Sequence, residues 1–560
     1  MILKKRPVIH FILTWLLSTL VCYFALGFFQ NFYQSHWALL TIATLLNTVL
    51  TLVFEIVLER ITESLKTSPK EKIVASGVLI LSLLLIVQTI RILAQYPSLF
   101  SFNFILPATS LIPGFLGITI LSQIWTAFII QKLDMQNWQT SPFILQIKRN
   151  LPGLLLASAI SVSTYLMATI LVSANLSLTD NYFDADSPLW LNFMTANADQ
   201  ILSLRAVHPL ALLILRPPVW LLSLLLNGNK FHAALLLNSS MGGVCAYLIW
   251  SFFKKRTGNT AYALLIATLL GFSTAHLFLS VFLESYIFSA VALIACIVLL
   301  EPKNNKFPHL VVAGLATFGI TISNFTQTCI AFFLVRRDIK TTFKYVMIVL
   351  ALAITLAFVQ HTIYPTSNPF YIPSNLTKES AFRFNIFEAT PKILASRTNI
   401  MFRNITILSI VAPRPLIFLE EIGCSYPCFN TIRFFRGTYQ YASYIGFGSL
   451  LARAWFLGLL TAFLLFVRQL YKSFKLASLQ FALLLSILFN FILHMNYGDD
   501  PLLYSPDWTY ALVFFFGISF ETVADKKWFQ SILLLFVTAL LFNNLELFRK
   551  IFETILPFAS

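Results

Sequence analysis

Charged residues are scarce in this chain, and their scarcity excludes most classes of soluble protein. Only 11% of the 560 residues are Asp, Glu, Lys or Arg, while 58% are apolar. A soluble domain carries roughly 25% charged residues. The composition therefore argues against a soluble enzyme, a nucleic-acid-binding module and a disulfide-rich secreted scaffold. Apolar residues occur in long runs rather than in strict alternation, which also argues against a membrane β-barrel.

Several short motifs of catalysis and nucleotide binding are also lacking. The chain contains no Walker A sequence, no GxSxG, no HExxH and no dinucleotide-binding fingerprint. Of its six cysteines, only Cys424 and Cys428 lie close together. No second Cys or His pair completes a zinc site around them, and a local disulfide is the alternative. Nucleotide-driven transport and the use of cytosolic sugar nucleotides therefore have no motif in this chain.

Long apolar runs are what the chain has in abundance. Runs of about 18 or more residues recur from end to end, and each could cross a hydrocarbon core of about 30 Å. The sequence predicts an all-α, polytopic transmembrane helical protein with about 13–15 hydrophobic segments. We expect the loops of its outer face to carry short amphipathic helices.

The distribution of charge predicts the topology. The net charge is +16, and most basic residues lie in short loops such as 59–72, 132–150 and 254–256. The positive-inside rule places these loops in the cytoplasm, so we expect no nucleic-acid partner. The two longest polar stretches, 174–208 and 364–446, then lie outside. No retention signal is visible, which favours a bacterial inner membrane for this multi-pass protein.

Two hydrophobic segments are not predicted to be single ordinary spans. The run 308–335 satisfies the topology only as two short helices that meet at Ser323–Asn324. The segment 209–226 contains Arg216-Pro217-Pro218, and proline removes backbone hydrogen bonds that lipid cannot replace. We interpret 209–226 as a re-entrant or interfacial piece.

The same features suggest four regions along the chain. They are an N-terminal four-span block (1–150), a membrane core with an acidic first outer loop (151–363), a large outer loop (364–446) and the C-terminal spans (447–560).

Acidic residues cluster in the first outer stretch. Asp180, Asp184 and Asp186 fall within seven residues, and on a turn Asp184 and Asp186 could converge on one metal ion or one acceptor hydroxyl. A solvated acidic loop is the alternative. Glu284 lies between two apolar runs, where an ionisable residue suggests a function. The alternative is a turn between two spans that leaves the carboxylate in water.

Other candidate residues have equally plain alternatives. Arg205 and His208 enter the membrane at a proline, either as a phosphate contact or as interfacial anchors. Asn324 could bind a ligand or satisfy a neighbouring helix. Asp499 and Tyr504 belong to an aromatic outer loop that could stack on a sugar or form an interfacial belt.

The large outer loop is basic. Guanidinium groups suit phosphate and pyrophosphate bidentately, so Arg397, Arg403 and Arg414 could hold an anionic head group. Simple adhesion of this loop to anionic lipid is the alternative.

The layout of residues 150–546 resembles the GT-C superfamily of integral-membrane glycosyltransferases that use polyprenyl-phosphate sugars. The matching features are a span (151–173), an outer loop with Asp184 and Asp186, and the entry His208-Pro209-Leu210 into a proline-bearing segment. An acidic turn at Glu284, a paired short-helix unit and a large outer loop follow.

The resemblance implies a reaction and roles. A sugar would pass from a polyprenyl-phosphate carrier to a lipid, glycan or protein acceptor on the outer face. Asp186 or Asp184, with Asp180 third, would act as the catalytic base or hold a divalent metal such as Mg or Mn. His208 and the arginines of the large loop would neutralise the departing phosphate. Together with the candidates drawn from the residues themselves, the residues expected to bind substrate are Arg205, His208, Glu284, Asn324, Arg397, Arg403, Arg414, Asp499 and Tyr504. A transporter or flippase of lipid-linked sugars and a non-catalytic membrane scaffold are the alternatives.

Overall fold

The computed structural model describes residues 8–67, 69–132, 141–173, 176, 180–301, 307–418, 427–435, 438–498 and 500–558. These residues form twenty α-helices and four short strands. The protein is therefore an all-α, multi-pass membrane protein, as the composition predicts, and the strands within the described residues all lie in the large outer loop.

The helices follow one another in chain order as α1 (Val8–Gln30), α2 (His36–Thr67), α3 (Pro69–Ala94), α4 (Ile112–Lys132), α5 (Pro142–Leu171), α6 (Ser187–Thr195), α7 (Ala211–Leu225), α8 (Lys230–Thr257), α9 (Thr260–Gly271), α10 (Thr274–Val281), α11 (Ser285–Leu300), α12 (Phe307–Ile320), α13 (Phe325–Arg336), α14 (Ile339–Ile363), α15 (Pro373–Thr377), α16 (Pro391–Arg403), α17 (Phe447–Lys472), α18 (Phe474–Met495), α19 (Pro506–Ser519) and α20 (Lys527–Ile555).

Ten of these helices are long and apolar enough to cross a membrane: α1–α5, α8, α14, α17, α18 and α20. The run 261–282, which reads as one span in the sequence, is broken into α9 and α10 with a bend of 59°. We call the end of the bundle that carries Lys254–Arg256 the inner end, following the positive-inside prediction, and the opposite end the outer end.

The predicted break in the run 308–335 is confirmed. Helix α12 ends at Ile320, a 3-10 turn covers Ile322–Asn324, and α13 begins at Phe325. The segment 209–226 forms one short helix, α7, which continues through Pro217 and Pro218 and is not among the helices long enough to span a membrane. Its re-entrant or interfacial placement stays a prediction. Leu210 donates its N–H to the Gly319 carbonyl at 2.8 Å, and the Leu225 carbonyl accepts from Tyr33, in the outer turn between α1 and α2.

The large outer loop is more deeply inserted than its polarity suggests. It contains α15 and α16, then two antiparallel pairs formed by β1 (Leu416–Phe418) with β2 (Cys428–Asn430) and by β3 (Ile432–Phe435) with β4 (Thr438–Tyr441). Between α16 and β1, residues 409–411 are completely buried. Cys428 is disulfide-bonded, and Cys424 lies outside the described residues.

Residues 409–410 complete the broken helix pair. The N–H groups of Thr274 and Ala275, at the start of α10, donate to the carbonyls of Ile410 and Ser409, each at 3.0 Å. The Asn544 amide of α20 donates to the carbonyls of Ile410 and Phe272 at 2.8 and 2.7 Å. A helix interruption within a membrane needs such partners, because lipid supplies none.

The helices around Glu284 are short, which recesses their outer ends. At the inner end, Arg256 of α8 pairs with Glu301, after α11, and with Glu521, after α19. Helix α8 has 28 residues and α11 has 16, so at about 1.5 Å per residue α11 stops ~18 Å short of α8.

A hydrogen bond near the Glu284 turn also shows that this turn lies below the outer end of α8. Asn238, eight residues into α8, donates to the Phe282 carbonyl at 3.1 Å, which places this turn ~12 Å below the outer end of α8. The turn that carries Glu284 therefore forms part of a recessed floor.

The core is divided. One continuous set of buried side chains links α3 with α5 and with the helices that follow, whereas Cys22, Leu26, Leu39, Ala43, Leu111 and Phe115 of α1, α2 and the start of α4 form a small separate core. Helix α3 thus packs with the rest of the bundle and not with its sequence neighbours.

Close packing of Gly319 against Leu210 gives a test of the contact between the end of α12 and the start of α7. A Cβ atom at Gly319 would lie 2.8 Å from the Leu210 Cβ, whereas a Cβ at Gly117 of α4 would meet nothing within 4 Å. We expect Gly319→Ala to destabilise the protein by about 1–3 kcal/mol through overpacking. We expect Gly117→Ala to be neutral or slightly stabilising. Thermal unfolding of the two variants in detergent measures the difference, and equal melting temperatures would contradict the packing described for this turn.

Candidate active site at the recessed acidic cluster

Aromatic side chains clamp the loop that carries the three aspartates. Phe183 is fully buried, and its N–H donates to the Phe429 carbonyl of β2 at 2.7 Å, while the Phe429 N–H donates to the Asn181 carbonyl at 2.8 Å. The Tyr182 ring stacks on the Phe429 ring with centroids 5.6 Å apart. These contacts fix the loop against the large outer loop.

The backbone of this loop is strained at three non-glycine residues. Asp180, Phe183 and Asp184 have φ values of 64°, 56° and 67°. A bulky residue such as Phe rarely adopts positive φ, and residues held there concentrate at functional sites. The buried contacts of Phe183 offset this cost and hold the neighbouring aspartates in place.

The contacts of Tyr182 and Phe183 with Phe429 hold Asp186 next to Glu284. The Asp186 N–H donates to the Glu284 carboxylate at 2.5 Å. Glu284 also accepts from the Ser285 N–H at 3.3 Å, as the residue that caps the start of α11. We define Asp180, Asp184, Asp186 and Glu284 as the acidic cluster.

The carboxyl groups of the acidic cluster shift one another's pKa values. Burial, and then the charge of Asp180, raise the pKa of Asp186 to about 6, although the positive charge of Arg205 opposes the shift. Burial and the charges of Asp186 and Asp184 raise the pKa of Glu284 well above its usual range, although two backbone N–H groups oppose this. Asp186 thus titrates near neutral pH, where a group can both take and release a proton.

Arg205 supplies the positive charge beside the cluster. Its Nε donates to Glu379 of the large outer loop at 3.1 Å, and its Nη2 donates to Glu379 and to the Tyr497 hydroxyl. The guanidinium also lies 4.1 Å from the centre of the Phe382 ring. Burial lowers the pKa of Arg205, but the hydrogen bond to Glu379 and the nearby Tyr497 and Glu379 groups outweigh it and raise the pKa. The Arg205 side chain stays about one third exposed.

His208 lies next to these groups in its neutral form. Its Nδ1 donates to the Ile320 carbonyl at the end of α12, at 2.6 Å, since a carbonyl can only accept. Burial, and then the charge of Arg205, lower the pKa of His208 to about 4. Its Nε2 therefore carries a lone pair at neutral pH, which differs from the cationic role that the resemblance implies.

Tyr504 borders the site, while Asp499 lies outside the described residues. The Tyr504 ring packs edge-on against Tyr286, two residues after Glu284, with centroids 5.2 Å apart. Asp500 serves a structural purpose, because its carboxylate accepts from the N–H and hydroxyl of Thr431 and from the Leu502 N–H.

Four of the residues expected to bind substrate contact other parts of the protein and not the acidic cluster. Arg397 is buried and donates to the carbonyls of His494, Met495 and Gly498, so it caps the end of α18. Arg403 lies over the Tyr441 ring, 4.6 Å from its centre. Asn324 is buried and accepts from Gln327 at 2.9 Å. Arg414 lines a separate cavity described below.

Glu379, Tyr497 and Tyr286 join the site without being among the residues expected to bind substrate. Arg205 meets Glu379 and Tyr497 across 174 and 292 residues of chain. No local sequence pattern predicts contacts between residues so far apart along the chain.

The residues of the cluster leave the metal prediction open. Among the described residues, no three His, Cys, Asp or Glu side chains are grouped as a metal site. Asp184 and Asp186 remain the candidate pair, because Mg²⁺ commonly takes one or two carboxylates and completes its shell with water and substrate phosphate.

Comparisons with family models, with curated proteins and with solved structures found no match to this chain. The function must therefore be argued from the site itself.

The raised pKa of Asp186 predicts a pH-dependent stability change. A carboxyl whose pKa is higher in the folded state destabilises the fold as pH rises through that pKa. We expect Asp186→Asn to stabilise the protein by about 1 kcal/mol near pH 7, after allowance for partial solvent screening. The gain should vanish near pH 4. Melting curves at both pH values measure it, with the exposed Asp199→Asn as control. A gain that is the same at both pH values would contradict the assignment.

Proposed function

We propose that this protein is a membrane glycosyltransferase of the GT-C type that takes a sugar from a polyprenyl-phosphate carrier and transfers it to an acceptor on the outer face. The observation that carries the proposal is the contact of Asp186 with Glu284 beside Arg205, on a floor recessed below the outer end of α8. A proton acceptor and a cation then lie together at a depth that a membrane lipid head group can reach.

Asp186 is the proposed general base. The acceptor hydroxyl attacks the anomeric carbon, its proton passes to Asp186, and a new C–O bond forms. The bond between the anomeric carbon and the phosphate oxygen breaks, and its electron pair leaves with the polyprenyl phosphate. General-base catalysis of this kind contributes about 10²–10⁴-fold.

Arg205 is the proposed contact for the leaving phosphate. Its guanidinium is partly exposed and held by Glu379 and Tyr497, so it is oriented before substrate binds. A fixed cation near the developing negative charge stabilises the transition state. Glu284 is the proposed positioning residue, because it holds the backbone of Asp186 and caps α11.

One observation favours a different function, transport or flipping of a lipid-linked sugar. Helices α1, α2 and α4 bury polar side chains at membrane depth: Ser18, Asn47 and Thr51 bond to one another or to Ser122 and Gln123. Such groups also serve simply to join helices. Only the glycosyltransferase proposal requires the carrier–sugar bond to break.

The test uses purified protein in nanodiscs with radiolabelled polyprenyl-phosphate sugars and candidate acceptors. We expect wild type and Asp199→Asn to release label from the carrier and Asp186→Asn to be slower by about 10²-fold or more. Release at the wild-type rate by Asp186→Asn would refute its role as base. Carrier that changes leaflet with its sugar still attached would favour the flippase.

A further inference from the structure

A polar cavity lies at the outer end of the bundle, away from the acidic cluster. It has a volume of about 340 Å³ and lies between residues 412–415, the start of α17 and the last turns of α20. Its charged lining residues are Arg414, Arg549, Lys550 and Glu546. No residue of the acidic cluster lines it, so an inference about this cavity does not depend on the proposed function.

The lining has a surplus of positive charge. The Nε of Arg549 donates to Glu546 at 2.7 Å, and Lys550 donates to Glu553 at 3.0 Å, so these two cations are partly neutralised. The Arg414 side chain is exposed and makes no ion pair or hydrogen bond with any residue in the described part of the chain. An exposed guanidinium in a lining that holds two further cations suits the charge of a phosphate group.

Neutral polar groups around the cavity are already hydrogen-bonded to backbone carbonyls of the protein. The Tyr444 hydroxyl donates to the Val411 carbonyl at 2.8 Å, and the Asn543 amide donates to the Ala412 carbonyl at 3.0 Å. Recognition in this cavity therefore depends mainly on charge, which favours an anion.

The rim of the cavity indicates what carries that anion. Ile445 lines the cavity and is 63% exposed, and Phe447 and Leu450, on the first turn of α17, are 57% and 63% exposed. On a membrane-spanning helix, side chains like these face lipid. A ligand with a phosphate group and apolar chains satisfies both surfaces at once.

We propose that this cavity binds the phosphate group of an anionic membrane phospholipid, with Arg414 as its main contact and with the acyl chains along the exposed side of α17. The bound lipid stabilises the inserted segment 409–412, because Ala412 lines the cavity and its N–H donates to Asn544, which holds the break between α9 and α10.

The test compares wild type with Arg414→Gln and with Arg453→Gln, a matched control. Arg453 is an exposed cation near the same end of α17 that donates to Ser449 and does not line the cavity. Full-length protein is placed in phosphatidylcholine nanodiscs, phosphatidylglycerol is titrated in, and binding is counted by native mass spectrometry. We expect Arg414→Gln to bind phosphatidylglycerol about tenfold more weakly than wild type, equivalent to ~1.4 kcal/mol, and Arg453→Gln to bind like wild type.

Thermal stability provides a second readout. We expect phosphatidylglycerol to raise the melting temperature of wild type and Arg453→Gln more than that of Arg414→Gln, whereas all three should melt alike in phosphatidylcholine alone. Equal phosphatidylglycerol binding by wild type and Arg414→Gln would overturn the proposal. Arg414-dependent binding of inorganic phosphate without any binding of phosphatidylglycerol would overturn it too, since the cavity would then serve a soluble anion.

Discussion

The structure depends on how helices that stop within the bundle satisfy their backbone hydrogen bonds. Lipid offers no partners, so each interruption must find them in another part of the chain. At the break between α9 and α10, Ile410 and Asn544 provide them. At the end of α12, the Ile320 carbonyl accepts from His208, and at the start of α11 the Glu284 side chain caps the helix. Two of these polar partners, His208 and Glu284, belong to the candidate site.

Recession and burial then determine the electrostatics of that site. A carboxyl group on an exposed loop would keep its ordinary pKa, but Asp186 lies against Glu284 on a floor below the outer end of α8, and its pKa rises to about 6. Arg205 limits that rise because Glu379 and Tyr497 hold it near the cluster. The site thus combines a carboxyl that titrates near neutral pH, a fixed cation and a neutral imidazole, which together suit a proton transfer coupled to departure of an anion.

Sequence patterns predicted some of these features and missed others for physical reasons. The length of the run 308–335 was a local signal, and its interruption is present, whereas the two prolines after Arg216 lie inside the continuous helix α7. The break at Phe272–Ser273 has no proline and lies within an apolar run, so hydropathy gave no sign of it. The burial of residues 409–411 was equally hidden, because it depends on the gap that this break opens. Arg397 looked like a free phosphate contact, yet it caps α18, since its neighbours along the chain do not reveal which carbonyls it meets.

The sequence by itself determined that the chain is a polytopic helical membrane protein, because long apolar runs and their flanking charges follow directly from the hydrophobic effect and the positive-inside rule. It also placed Asp180, Asp184, Asp186, Arg205, His208 and Glu284 on one face. Only the tertiary structure decided which of these meet, which cations are already engaged, and how far below the outer end of α8 they lie. These outcomes depend on contacts such as Arg205 with Tyr497 across 292 residues, on helix lengths compared side by side, and on burial, none of which is encoded in a local pattern.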